Sequence, residues 1–252
     1  MRPGASARWL AAAALLAAAV AAPARADWSF AIPAGWADLS PGRPVPPDVP
    51  AEVAEQTQSG QYHTYGMDVA GRKDGFATNL NVIVTPGSLV PSPEVLDQLV
   101  AAMPAQAARE VPGSTVTVVE KSIVDVAGVP SLRIVADLKT RTLTMRILKY
   151  TVPGGDHLAL ITYATTPKAY AHYLPIFEAA VQQTKGAAAA PVAAQLGAKL
   201  RGLAGDKVSN DDWQKIFGFG GKVIGALVAI VLVSVFSRRR KKASPPTGGG
   251  AQ

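Results

Sequence analysis

Between residues 62 and 165 apolar and polar side chains mostly alternate, and this period of two predicts a series of strands. Over residues 62–69, His63, Tyr65, Met67 and Val69 share one side, and Tyr62, Thr64, Gly66 and Asp68 the other. Over residues 77–85, Leu80, Val82 and Val84 share a side. The two-glycine stretch Gly71-Arg72-Lys73-Asp74-Gly75 joins these runs as a hairpin turn. Residues 115–120 and 122–126 form a β-branched run that continues across a bend. Gly128-Val129-Pro130 is expected to turn the chain into the alternation of Leu132, Ile134, Ala136 and Leu138. Leu143, Met145 and Ile147 carry the pattern on, Pro153-Gly154-Gly155-Asp156 turns it, and Leu158, Leu160 and Thr162 finish the set. Near the start, residues 28–32 alternate as a strand that Pro33 ends, and the Pro-rich residues 41–50 are unfit for a central strand.

The period changes to three and four at two places. Ser92-Pro93-Glu94 is a helix start, with a Ser cap, proline at the first helical position and an acid in the first turn. Val95, Leu96, Leu99, Val100 and Met103 form its buried stripe, Pro104 is expected to kink or interrupt it, and Pro112-Gly113 closes the region. Thr166-Pro167 repeats the start for a last helix that carries Tyr173, Leu174, Phe177 and Val181 and stops at Gly186. A short helix is expected from Pro50 to Glu55. Strands in succession joined by short turns, with capped helices between groups, predict an α+β domain over residues 27–186 whose helices cover an antiparallel meander.

Two apolar stretches break the pattern altogether. Residues 1–26 have Arg2 and Arg8, a short apolar run over 9–22 and the small-x-small end Ala24-Arg25-Ala26, the form of a cleaved signal peptide. The apolar run is about 14 residues long, short for an uncleaved anchor, and no Cys follows it for a lipid anchor. Residues 216–236 are apolar over about 21 positions, or ~31 Å as a helix, enough to cross a hydrocarbon core of ~30 Å. Arg238, Arg239, Arg240, Lys241 and Lys242 follow as a cytoplasmic stop, with residues 237–252 as a basic tail, and Trp213 stands where an interfacial aromatic belongs. Lys222 lies inside the run and is expected to snorkel outward; Gly221 and Gly225 have small-x-x-x-small spacing. Residues 187–215 are Ala- and Gly-rich and read either as a flexible tether or as an amphipathic helix on Val192, Leu196, Leu200 and Leu203. The expected topology is a single pass through the cytoplasmic membrane, with the N-terminal domain exported and the C-terminus inside.

Charge sharpens this picture. The chain of 252 residues has a formal net charge of +7, which would suit nucleic acid. The excess sits in Arg2, Arg8 and Arg25 and in Lys222 and the C-terminal cluster. Without these, 16 Lys and Arg face all 18 Asp and Glu between residues 27 and 215, so the exported part is slightly acidic and a nucleic-acid partner is not expected. There is no Cys, which removes disulfides, thiol catalysis and Cys-ligated metals.

Candidate chemistry is sparse. His63, His157 and His172 are the only histidines, and they have no metal-ligand spacing. His157 follows Asp156 directly, and neighbours in a turn are expected to point apart rather than act as a dyad. Glu52 and Glu55 are one helix turn apart and expected to face water; neither glycine turn has phosphate-loop spacing. No catalytic residue, cofactor or metal is therefore expected. Trp36, Tyr62 and Tyr65, together with Trp28, are candidates for a ligand groove near the sheet edge; the alternative is that Trp28 and Trp36 are core anchors.

The order of elements resembles the PsbP/Mog1-like fold, shared with periplasmic proteins of the DcrB and LpqN kind. The residues that carry it are Phe30-Ala31-Ile32-Pro33-Ala34-Gly35-Trp36, the Asn-containing strand of residues 78–84 before the capped helix, the Gly128-Val129-Pro130 bend, and a last helix with Tyr170, Tyr173 and Phe177. The resemblance implies a non-enzymatic binding or assembly factor. The expected function is thus a membrane-anchored extracytoplasmic domain that engages a protein or envelope component. The alternatives are a hydrolase-type enzyme with a site built from scattered His, Asp and Tyr, and a subunit of a membrane complex that contacts partners through its span.

Overall fold

The computed structural model describes residues 28–72 and 76–188. The signal peptide, all of the 187–215 linker beyond Ala188, the span at 216–236, the basic tail and their anchor residues Trp213, Lys222, Arg238, Arg239, Arg240, Lys241 and Lys242 lie outside the described residues. Among the described residues, no helix is long and apolar enough to cross a membrane.

The described chain forms a seven-stranded antiparallel sheet in the order β1-β2-β3-β7-β6-β5-β4. The strands are β1 (Ala37–Asp38), β2 (Thr64–Met67), β3 (Asn79–Pro86), β4 (Thr115–Val126), β5 (Val129–Lys139), β6 (Thr144–Gly154) and β7 (His157–Thr165). The helices are α1 (Ala51–Gln58), α2 (Pro93–Glu110) and α3 (Tyr170–Val181). The α+β meander expected from the alternating pattern is present: β4 to β7 follow one another, and β7 closes onto β3.

The period of two sorts the side chains onto two faces. Leu80, Val82, Val135, Leu148, Tyr150, Ile161 and Tyr163 face α3, which covers them with Tyr173, Phe177, Ala180 and Val181 in one continuous cluster. The opposite face is covered by α1 and α2 and falls into three clusters. Val53 of α1 meets Tyr65, Ile83 and Leu160. Ala107 of α2 meets Leu138, Met145, Ile147 and Ala164. Leu96, Leu99 and Met103 of α2 meet Leu132, Ile134 and Leu158.

Helix α2 starts as its sequence dictates, with Ser92 Oγ accepting from the Val95 N–H at 3.3 Å. It runs unbroken through Pro104 to Glu110. Residue 104 is exposed, while Leu96, Leu99, Met103 and Ala107 keep one buried stripe across it. Tertiary packing of that stripe outweighs the proline cost of ~3 kcal/mol.

Several local expectations are corrected. Residues 28–32 make a single ladder bridge, Ser29 to Lys185, and no strand. The alternation there is real but serves packing: Trp28 stacks on Phe30 with ring centroids 5.5 Å apart. The turn between β4 and β5 is Ala127-Gly128, both left-handed at φ 51° and 84°, so Val129 and Pro130 already belong to β5. Pro153 and Gly154 belong to β6, and the turn is Gly155-Asp156. Helix α3 begins at Tyr170; Thr166 Oγ1 instead caps the preceding turn at the Ala169 N–H, 3.3 Å away. Helix α1 is present and extends three residues past Glu55.

The ends of the described chain are latched together. Ser29 and Lys185 exchange backbone bonds of 3.2 and 2.9 Å, and the Ala188 N–H donates to the Pro153 carbonyl at 2.9 Å. Trp28 is wedged against Gly154 and Gly186; a Cβ at 154 would lie 2.0 Å from the indole and 2.9 Å from the Gly186 carbonyl oxygen. The chain toward residue 189 therefore leaves from the β6–β7 end of the sheet.

Candidate functional site

The three residues expected to line one groove are split by the sheet. Tyr62 and Tyr65 pack edge to face at 5.2 Å in the α1 cluster. Trp36 packs on the other face, against Tyr173 and Phe177 at 6.1 and 6.2 Å. Tyr65 and Gly66 are successive strand residues and point to opposite faces, and Gly66 leaves the space that Trp36 and Ile32 occupy. Trp28, Tyr62 and Tyr65 are buried and Trp36 half-buried, so all four fill core.

The histidines do not converge. His63 is exposed, its Nδ1 3.0 Å from Thr64 Oγ1 and its ring edge-on to Phe30, away from Tyr65. Partial burial holds its pKa below the usual value. His172 is exposed on α3 against Tyr173. His157 and Asp156 do touch, contrary to expectation: Nδ1 and Oδ1 are 2.7 Å apart at the β6–β7 turn. That hydrogen bond holds the Asp156 carboxyl below its ordinary range. Among the described residues no group of His, Asp and Glu has metal-binding geometry.

A charged tie joins β4, β5, β6 and α3 on the α3 face. Arg133, almost fully buried, pairs with Glu120, lies 3.7 Å from Glu178 and hydrogen-bonds Tyr150. Arg146 grips Asp137 with two bonds of 2.7 Å and sits over the Tyr170 ring at 5.3 Å. These bidentate and multiply bonded pairs hold α3 and the β4 edge to the sheet.

The two edges of the sheet differ. One is β1, two residues long. The other is β4, twelve residues long, with β5 as its only partner among the described residues. A bulge between Val118 and Glu120 pushes Val119 outward. Val119 and Ile123, 50% and 39% exposed, are the exposed large hydrophobics of the described residues. The charges that would guard this edge are tied back into the domain, Glu120 to Arg133 and Lys121 to Asp97 of α2.

A second feature lies inside, on the α1/α2 face. Strand register places Tyr65 opposite Asn81, Asn81 opposite Thr162, and Thr162 opposite Lys149. Four polar side chains thus form one line across β2, β3, β7 and β6. Tyr65 and Asn81 are 0% exposed and Thr162 2%. The Tyr65 and Tyr62 hydroxyls, both amide atoms of Asn81, Oδ1 of Asn79 and Oγ1 of Thr162 have no hydrogen-bond partner among the described residues. Burial pushes the Tyr65 phenol well up, and the neighbouring Tyr62 phenol adds to this. Burial also pushes the Lys149 ammonium down, against the opposing pull of Glu110 at the end of α2. Sequence reading showed Asn and Thr in apolar strands but not the register that aligns them.

No family model matches the chain, and no curated protein matches it. Solved structures to which the chain shows similarity include the PsbP of the cyanobacterium Synechocystis, with TM-score 0.45 and 11% identity over 64% of this chain and 87% of that one. LpqN of Mycobacterium tuberculosis, involved in cell envelope biogenesis, gives 0.42 and 10% over 63% and 82%. A protein of unknown function from Pseudomonas aeruginosa gives 0.34 and 14% over 44% and 74%. Likeness at this level transfers no function.

Proposed function

We propose that the chain is a membrane-tethered extracytoplasmic binding or assembly domain that takes an extended segment of a protein partner along β4. The observation that carries this reading is the long open edge on which the exposed Val119 and Ile123 lie. Strand addition there would use unpaired backbone groups for affinity and the two apolar side chains for selectivity. The tether is the apolar run at 216–236 with its basic stop, and Ala188, latched to β6, is where the chain sets out toward it. Assignment to the PsbP/Mog1-like fold belongs to this reading and rests on the order of elements. So does the absence of a catalytic role, since His63, Tyr65 and the carboxylates are dispersed.

The test is site-specific photo-crosslinking of the full-length protein in its native membranes. A crosslinker at 123 should give a discrete protein adduct that one at Glu52, exposed on α1, does not, and Val119→Asp should abolish it. Equal adducts from both positions would overturn the reading. Replacing 216–236 with an unrelated apolar helix should leave the adduct intact; its loss would favour a subunit that acts through its span.

A further inference from the structure

Beyond the bulge at Val119 the ladder of β4 is regular from Glu120 to Val126. Ala127 and Gly128 form a two-residue turn, so the Val126 carbonyl and the Val129 N–H bond each other. From that rung the backbone alternates. The groups of Val126, Val124, Ser122 and Glu120 point to β5, and those of Asp125, Ile123 and Lys121 point away from it, to the open edge. The Asp125 carbonyl accepts from Gln182 Nε2 at 2.8 Å, as an outward carbonyl can. These three residues also share a side-chain face, the α2 face. Lys121 and Ile123 pair with Ile134 and Leu132 of the α2 cluster, and Lys121 bonds Asp97 of α2. The edge thus presents a cation, an exposed aliphatic side chain and an anion, in that order.

We infer that the segment taken by β4 is β4 of a second copy of this chain, paired antiparallel about a two-fold axis at Ile123. The inference rests on the reading of β4 as a strand-addition edge and names its occupant. Two identical antiparallel edges bond only where outward residues meet outward residues, so the axis passes through a residue and not between two. With the axis at Ile123, that residue meets its own copy, and Lys121 faces the second copy's Asp125 on both sides. With the axis at Lys121 or Asp125, like charges are opposed; at Ser122 or Val124, Ile123 is set against a charge. The edge is therefore self-complementary in one register. Both ions keep their present bonds in that register. Lys121 has further N–H donors beyond the one Asp97 accepts, and Asp125 accepts the Gly128 N–H at Oδ1, 2.8 Å away, which leaves Oδ2 to the new pair. Gln182 yields the Asp125 carbonyl to the second copy's Lys121 N–H. So short a paired stretch binds weakly between free molecules, and holding both copies in one membrane raises their effective concentration.

The experiment uses the absence of cysteine from the chain. Ile123→Cys in the full-length protein places one thiol at the axis, where opposed Cα atoms are ~5.5 Å apart, within disulfide reach. Mild oxidation of native membranes should give a thiol-reversible product of twice the chain's mass, and Glu52→Cys on α1 should not. Adding Lys121→Glu, which sets carboxylate against carboxylate, should lower the yield about tenfold. Adding Asp125→Lys to that variant exchanges the two charges and should restore it. Equal yields at 123 and 52, or a yield that Lys121→Glu leaves unchanged, would overturn the inference. So would absence of the self-disulfide; where the photo-crosslinker at 123 then still joins a different protein, the strand-addition reading stands without it.

Discussion

The face under α3 and the face under α1 and α2 are built from alternate residues of the same strands, yet they are filled differently. Under α3 the cluster is continuous and rich in rings: Tyr163 stacks on Phe177 at 4.4 Å, and Phe177 in turn faces Tyr173 at 5.8 Å. Its ionic groups, Arg133 and Arg146, lie at the margin and are paired. Under α1 and α2 the apolar contacts come in three patches, and a row of polar side chains runs from Tyr65 in the α1 patch through Asn81 and Thr162 to Lys149, whose ladder partner Ile134 lies in an α2 patch. Continuous packing maximises buried area and cohesion. An interrupted face forfeits part of both. The α3 face thus has one continuous core, and the opposite face is divided and carries buried polar side chains without a hydrogen-bond partner among the described residues.

Four variants break or sharpen this contrast. The largest effect is expected from Phe177→Ala, at the centre of the α3 face, with a loss of ~3–5 kcal/mol in urea unfolding. A loss under ~1 kcal/mol would mean the rings are not the keystone of that face. Next is Gly154→Ala, whose methyl meets the Trp28 ring and the Gly186 carbonyl. It should cost ~1–3 kcal/mol by overpacking and expose Trp28, seen as a red shift of its fluorescence. On the other side, Ser92→Ala removes the cap of α2 and should cost ~1 kcal/mol, read as faster amide exchange in the first turn of that helix.

What was legible in the sequence follows the same division. The meander, the α2 start and the burial of Leu80, Val82, Tyr173 and Phe177 were readable because each depends on local period or capping. The fate of residues 28–32 was not. Their alternation is that of a strand, but their partner is the chain at 185–186, and only one bridge forms. The turn at Ala127-Gly128 was missed by one position because Pro130, which usually marks a turn, is tolerated here at the first rungs of the β4–β5 ladder, opposite Asp125. Trp36 and the tyrosines looked like one aromatic group because distance along the chain does not reveal which face a loop residue meets. The polar row is the clearest case. Asn81 and Thr162 each interrupt an apolar strand, but only the β3–β7 register makes them neighbours.

The last variant is the most telling. In the double variant Asn81→Leu and Thr162→Val, apolar side chains of the same branching replace the two central members of the row. Urea unfolding of the full-length protein should show a stability equal to wild type or up to ~2 kcal/mol higher, because orphaned polar atoms are removed from a covered face. A loss of ~3 kcal/mol or more would show instead that the row is a satisfied structural network, and would contradict the contrast between a continuously packed face and one interrupted by unpartnered polar groups.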